Sequence, residues 1–154
     1  MIRRPRRVAL IVLGVIVFLV ISGILARWLS LENAERSDIL ALLQAQARGD
    51  APAMLAKLDG CDARCRTIVH ADARTLRRSG AVLILARQSQ TAYALSSRTA
   101  ETRIAWEAGN RLPVVQCVTV RRTGNVITGL TLHLLAIGPA VHPTTADCAP
   151  RFDG

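Results

Sequence analysis

The stretch that decides the organisation of this chain is Val8–Ala26, VALIVLGVIVFLVISGILA, which has no charged residue. As an α-helix with a rise of about 1.5 Å per residue it would be about 28 Å long, close to the ~30 Å hydrocarbon core of a bilayer. Arg27 and Trp28 follow it, and Trp is common at the membrane interface. The stretch therefore predicts a transmembrane helix over residues 8–28.

Basic residues are distributed unequally around this predicted helix. Only two, Arg27 and Arg36, follow it closely, whereas four precede it: Arg3, Arg4, Arg6 and Arg7. Because the more basic side stays inside, residues 1–7 are predicted to be a cytoplasmic tail of a single-pass plasma-membrane protein with an extracytoplasmic C-terminal part. A cleaved signal peptide is the alternative, although its apolar region is normally ~7–15 residues long and ends in small residues.

Composition limits the remaining part to one small domain. The chain has 154 residues and a net charge of +9. Its hydrophobic content of 51% excludes a disordered or collagen-like chain. Few aromatic residues accompany the arginines, so no nucleic acid is expected as a partner. The pairs Arg77-Arg78 and Arg121-Arg122 are interpreted as solvated charge at turns, with binding of an acidic partner or lipid headgroups as the alternative.

The first half of the exterior part has helical patterning. No Gly or Pro occurs from Ile24 to Arg48, so the membrane helix can continue through Glu32–Arg48. Apolar residues such as Leu42 are expected on one side of this helix. The charged residues are expected to face elsewhere: Glu32, Glu35, Arg36 and Asp38. Gly49 is a plausible stop and Asp50 a plausible N-cap for a helix over Ala51–Leu58. A third helix is predicted at about Asp62–Asp72.

The pattern changes to strict alternation after Gly80, which predicts strands with one face on a core. Short connections such as Gly109-Asn110 favour an antiparallel meander. Five strands are predicted: Ala81–Arg87, Thr91–Ser97, Thr102–Ala108, Val114–Arg121 and Val126–Ile137. Residues 29–138 are thus expected to form one α+β domain, with helices packed on a curved antiparallel sheet, and residues 139–154 an irregular tail.

The segment Leu42–Leu58, LLQAQARGDAPAMLAKL, together with this strand order resembles the NTF2-like (cystatin-like, SnoaL-type) superfamily. The segment is similar to the long first helix of that family, its Gly-Asp break and its second helix. The resemblance covers roughly Glu32–Ile137 and implies a cone whose mouth can hold a ligand. Family members include isomerases and cyclases as well as inert scaffolds. Membrane-anchored, extracytoplasmic members occur in actinobacterial secretion and transport assemblies, generally as structural parts.

Four cysteines lie after the predicted membrane helix, and an even number in an oxidising compartment favours disulfides. The favoured pairing is Cys61–Cys65 with Cys117–Cys148, among three possible pairings. A zinc site on Cys61, Cys65 and His70 and a redox site are the alternatives, but the spacing C-x-x-x-C is typical of neither.

No sequence motif of a known catalytic or cofactor site is present, so no catalytic residue, cofactor or metal is predicted. His70, His133 and His142 are scattered, and a surface or interface role is predicted for His133. The carboxylates considered for acid–base work are Asp38, Asp72, Glu101 and Glu107. Of these, Glu107 is expected to be solvated and Asp72 to cap its helix or pair with Arg74 or Arg77.

Two functions follow as hypotheses from different classes. The first is a non-catalytic accessory or scaffold domain that associates with itself or with a protein of a membrane assembly, through an outer sheet face that includes Thr131, His133 and Leu135. The alternative is a small-molecule-binding or enzymatic domain that uses the cone cavity, for which Tyr93 and Trp106 would line a pocket.

Overall fold

The structure is a computed structural model that describes residues 4–89, 96–125, 129–141 and Cys148. Helices come first along the chain and strands second, so the protein is α+β as predicted. The elements are α1 (Arg4–Arg48), α2 (Ala51–Leu55), α3 (Ala63–Thr75), β1 (Val82–Ser89), β2 (Ser96–Ala108), β3 (Val114–Asn125) and β4 (Gly129–Ile137).

Helix α1 is continuous and has two parts with different surroundings. Its first part, over residues 8–25, is apolar and exposed, and it is long and apolar enough to cross a membrane. Its last part is the spine of the domain, where Ile39, Leu42 and Leu43 are fully buried. The predicted continuation of the apolar helix into residues 32–48 is therefore confirmed. Length and composition suit either a membrane anchor or a signal sequence.

The ends of the helices depend on a glycine and two aspartates. Gly49 has φ of +76°, and a Cβ there would lie 3.0 Å from the carbonyl oxygen of Ala73, so only glycine fits without strain. Asp50 Oδ1 accepts the N–H of Ala53 at 3.0 Å and caps α2 as predicted. Asp62 caps α3 by accepting the N–H of Cys65 at 2.7 Å.

Both short helices differ in length from their predictions. Helix α2 ends at Leu55 rather than Leu58, because the following chain turns so that the N–H of Asp59 donates to the carbonyl of Leu134 on β4. Helix α3 continues past Asp72 to Thr75, because the N–H of Leu76 still bonds the carbonyl of Asp72.

The strands form one antiparallel sheet in the order β1-β2-β3-β4. The described residues contain four strands, not the predicted five. Ser96 and Ser97, the end of the predicted strand Thr91–Ser97, begin β2, and residues 91–95 lie outside the described residues. Strand β3 extends to Asn125, beyond the predicted end at Arg121, because β2 and β4 pair with it along that length.

One face of the sheet covers the core and the helices cover that face. Its buried members include Ile104 and Trp106 of β2, Val118 and Val120 of β3, and Leu134 of β4. Register shifts at residues 84–86 and at residues 134–136 show a bulge in each of the outer strands, and bulges bend a sheet. The chain after β4 stays close to the sheet, since Val141 forms a bridge with Val115.

Candidate functional site: two buried polar clusters

The inner face of the sheet carries charged side chains that are cut off from solvent. Glu35 of α1 and Arg122 of β3 are both fully buried, and Arg122 Nη2 donates to Glu35 Oε2 at 2.7 Å. Arg87 Nη1 lies 3.2 Å from Glu35 Oε1, and the Thr102 hydroxyl donates to the same oxygen at 2.9 Å. We call Glu35, Arg87, Thr102 and Arg122 the ionic cluster.

Glu35 is held as a carboxylate by the residues around it. Burial by itself would raise its pKa, but hydrogen bonds from Arg122 and Thr102 and the charges of Arg122 and Arg87 outweigh burial and lower the pKa below its ordinary value. Arg122 depends on this carboxylate in turn, because its Nε and Nη1 are buried without a hydrogen-bond partner among the described residues. The cluster therefore joins α1 to three strands.

A second set of polar side chains lies under the other end of the same face. Gln116 Oε1 accepts the indole N–H of Trp106 at 2.8 Å and Gln46 Nε2 at 3.1 Å. Gln116 Nε2 donates to Asp72 Oδ2 at 2.9 Å and to the carbonyl of Gly138 at 3.2 Å. We call Gln46, Asp72, Trp106 and Gln116 the amide cluster. It joins α1, α3, β2, β3 and the chain after β4.

Donor and acceptor roles in the amide cluster are fixed by chemistry. An indole N–H can only donate, so Gln116 must turn its oxygen towards Trp106 and its amino group towards Asp72. Asp72 is buried, and burial raises the pKa of its carboxyl to about 6, against a smaller opposite effect of the Gln116 hydrogen bond. The predicted pairing of Asp72 with Arg74 or Arg77 is wrong, because α3 turns this side chain inwards to Gln116.

Of the two predicted pocket residues, Tyr93 and Trp106, the structure describes only Trp106. Trp106 is fully buried in the core, with its N–H bonded to Gln116 and the Arg78 guanidinium 5.3 Å from its ring centroid. Tyr93 and His142 lie outside the described residues. Within the part of the chain that the structure describes, Trp106 thus contributes to packing and does not line an open pocket.

The predicted association face lies on β4. Thr131 is exposed and its Oγ1 lies 2.5 Å from Thr123 Oγ1 of β3. His133 is partly exposed, and its Nδ1 lies 2.6 Å from Asp59 Oδ2. Leu135 is half-buried at the bulge. These three residues stay a predicted face, placed on an edge strand of the sheet.

The other candidate carboxylates are spread over the molecule. Asp38 is on α1, Glu101 is on β2 near the Cys117–Cys148 pair, and Glu107 is half-buried at the far end of β2. Asp38 and Asp72 thus lie on two different helices, and Glu101 and Glu107 lie six residues apart on β2.

Both cysteine pairs form the disulfides that the sequence analysis favoured. Cys61 and Cys65 have Cα atoms 5.3 Å apart, and Cys117 and Cys148 have theirs 5.8 Å apart. These sulfurs are therefore not thiolates that could bind zinc beside His70, or bind a cation beside Glu101. The second pair holds Cys148, seven residues beyond Val141, against the outer side of β3, because Cys117 alternates with the inner residues Gln116 and Val118.

Sequence reasoning missed both clusters. Glu35 was expected to face away from the core and Arg122 to be solvated at a turn, and both predictions are wrong because the two charges neutralise each other inside. One signal was available: Arg122 continues the alternation of the buried residues Val118 and Val120, so the pattern itself placed it on the inner face.

Comparison with protein-family models, with curated proteins and with solved structures finds no match to this chain. Its description therefore rests on its own geometry: an apolar helix continuous with an α+β domain, two disulfides that fit an oxidising compartment, and two buried polar clusters that join the helix to the sheet.

Proposed function

We propose that this protein is a single-pass membrane protein whose extracytoplasmic domain, an NTF2-like cone, is a non-catalytic accessory or scaffold module for protein association. The observation that carries the proposal is the continuity of α1, which contains the exposed apolar segment and the spine of the domain in one helix. A domain built on the end of its own anchor is held at a fixed height above the membrane, as a scaffold requires.

The use of the buried polar side chains supports this function over catalysis. Glu35, Asp72 and Trp106 are each bonded to another part of the chain and join helices to strands. A small-molecule site would instead present such groups to a cavity. The orientation, with the N-terminus inside, is proposed from the arginine distribution around the helix.

The proposed association surface is the outer side of β4 around Thr131 and His133. Strand β4 is an edge of the sheet that pairs with β3 as its only strand neighbour, and the Asp59 N–H additionally bonds it at the carbonyl of Leu134. Thr131 and the half-exposed His133 therefore lie where a protein partner, or a second copy of the chain, could extend or cover the sheet.

Site-specific photo-crosslinking in the native membrane tests this proposal. A photoreactive residue replaces Thr131 in the tagged full-length chain, and the control carries it at Arg66, which is exposed on α3. We expect one near-stoichiometric crosslinked protein, or the crosslinked dimer, from position 131 only, and its loss in a second variant, His133→Arg. Equal products from both positions, or none from 131, would contradict the association surface.

A further inference from the structure

The contacts between α1 and the sheet fix which end of the domain points back along the helix. Glu35 contacts Arg122 of β3, whereas Gln46, eleven residues further along α1, contacts Gln116. Moving along α1 towards the apolar segment therefore corresponds to moving along β3 towards Asn125. By the antiparallel pairing, Ser96 of β2 lies at this same end, because it is the partner of Asn125.

Simple distances place this end close to the membrane surface. Glu35 is nine residues beyond Ala26, which is about 14 Å along a helix. Asn125 is three residues beyond Arg122, which is about 10 Å along a strand. If α1 crosses the bilayer through residues 8–26, Asn125 and Ser96 lie about 4 Å above the hydrocarbon boundary, inside a headgroup layer about 5–8 Å thick.

Exposed arginines surround this end on three different elements. Arg36 lies on α1, Arg98 on β2 and Arg121 on β3, and all three are exposed. Arg98 pairs with Arg122, and the next residue, Thr99, pairs with Arg121. Arg98 and Arg121 therefore belong to neighbouring residue pairs of the β2–β3 ladder.

Two acidic residues of α1 at this level, Glu32 and Glu35, are already paired. Glu35 is bonded to Arg122, and Glu32 lies 3.4 Å from Arg87. Arg122 and Arg87 therefore neutralise these two glutamates, Glu35 inside the domain and Glu32 at a partly exposed position. The three exposed arginines lie about one Debye length, about 8 Å, above the headgroup layer, where screening weakens their attraction for negative charge in that layer without abolishing it.

We propose that this end of the domain, which we call the basic tip (Arg36, Arg98, Arg121 and the strand ends Ser96 and Asn125), docks on the anionic headgroups of the membrane that holds α1. The inference rests on the proposed membrane anchoring. It adds that the domain is seated on the lipid surface at a fixed angle, so that the β2–β3 turn at the opposite end points away from the membrane.

Hydrogen exchange of the full-length chain in lipid nanodiscs tests the basic tip. One set of nanodiscs contains phosphatidylcholine alone and the other contains phosphatidylglycerol as well. We expect slower exchange at residues 96–99 and 121–125 in the anionic nanodiscs, and loss of the difference at high salt. In the variant R98Q/R121Q this slowing of exchange should decrease, by at most about fivefold for each arginine removed.

The control variant is R64Q/R66Q, which removes two exposed arginines from α3. It should keep the lipid-dependent protection. Equal exchange at the basic tip in both lipids, or the same loss in the control variant, would overturn the proposal. Co-elution of the chain with the nanodiscs reports the anchoring separately: a chain that does not incorporate contradicts both proposals, whereas one that incorporates without tip protection contradicts only this one.

Discussion

The ionic cluster and the amide cluster lie under the same sheet face but differ in the partners of their buried carboxyl groups. In the ionic cluster the charge of Glu35 is matched by Arg122 and Arg87. In the amide cluster the acceptor and donor groups of Gln116 are matched, but the carboxyl of Asp72 has a neutral amide as its partner. Charge pairing therefore lowers the pKa of the buried Glu35 carboxyl, whereas a neutral amide partner leaves the pKa of the buried Asp72 carboxyl raised.

Replacing Glu35 by Gln should have the largest effect on stability. The substitution leaves Arg122 buried without a counter-charge, and breaking one side of a buried ion pair costs about 3–5 kcal/mol. We expect a large fall in the free energy of unfolding, measured by chemical denaturation of the full-length chain in detergent. The control is Glu32→Gln, whose partly exposed contact with Arg87 should be worth less than about 1 kcal/mol. Equal losses would contradict the distinction.

Removal of the Cys117–Cys148 disulfide should have the second largest effect on stability, because this disulfide holds the strand that carries Gln116 and Arg122. The double variant C117S/C148S opens a closed loop with a sequence separation of 31 and should lose about 3–4 kcal/mol in the chain-entropy model. The matched control C61S/C65S opens a loop with a separation of 4 and should lose about 2 kcal/mol. Denaturation of both variants under identical conditions checks the order, and a reversed order would contradict it.

Asp72→Asn tests the amide cluster, and its expected effect is a gain. The folded pKa of Asp72, about 6, lies above the ordinary value of 3.8, so the folded state binds the proton more tightly than the unfolded state. This stabilisation is present in full below pH 4 and decreases as the pH rises to about 6. Asn carries no charge at any pH, so the variant should be more stable above pH 6, by up to about 3 kcal/mol.

Unfolding free energies from pH 4 to 8 measure this effect. The wild-type stability should fall across the lower half of that range because of Asp72, and D72N should lack this contribution. Asp38→Asn, outside the amide cluster, is the control and should keep the wild-type slope. A slope that persists unchanged in D72N would show that another group causes it.

The smallest effect on stability is expected at the pair of His133 and Asp59, which is a short polar contact like those of the ionic cluster but is exposed to solvent. Its atoms are 2.6 Å apart, but the Asp59 side chain is 62% exposed. Exposed pairs contribute about 0.2–1 kcal/mol, so Asp59→Ala should change the unfolding free energy by no more than that. His133→Ala should give a similar loss. A loss comparable with that of E35Q would mean that burial does not set the difference.

Local patterns predicted the elements whose causes lie within a few residues. The apolar stretch at residues 8–26 predicted its helix, Gly49 and Asp50 predicted the break and the cap, and alternation predicted the inner residues Ile104 and Trp106. The pairing of the cysteines was favoured from their spacing and agrees with the structure. Boundaries were less accurate, because β3 is lengthened by its two neighbours.

The sequence by itself thus determined the apolar helix, the α+β order and the faces of the strands, because each depends on periodicity or on a nearby residue. Only the tertiary structure decided the environment of Glu35, Arg122 and Asp72. Their partners are distant in the chain, with Glu35 and Arg122 separated by 87 residues. A charged residue becomes tolerable inside only when folding brings its counter-charge to it, and no local pattern contains that information.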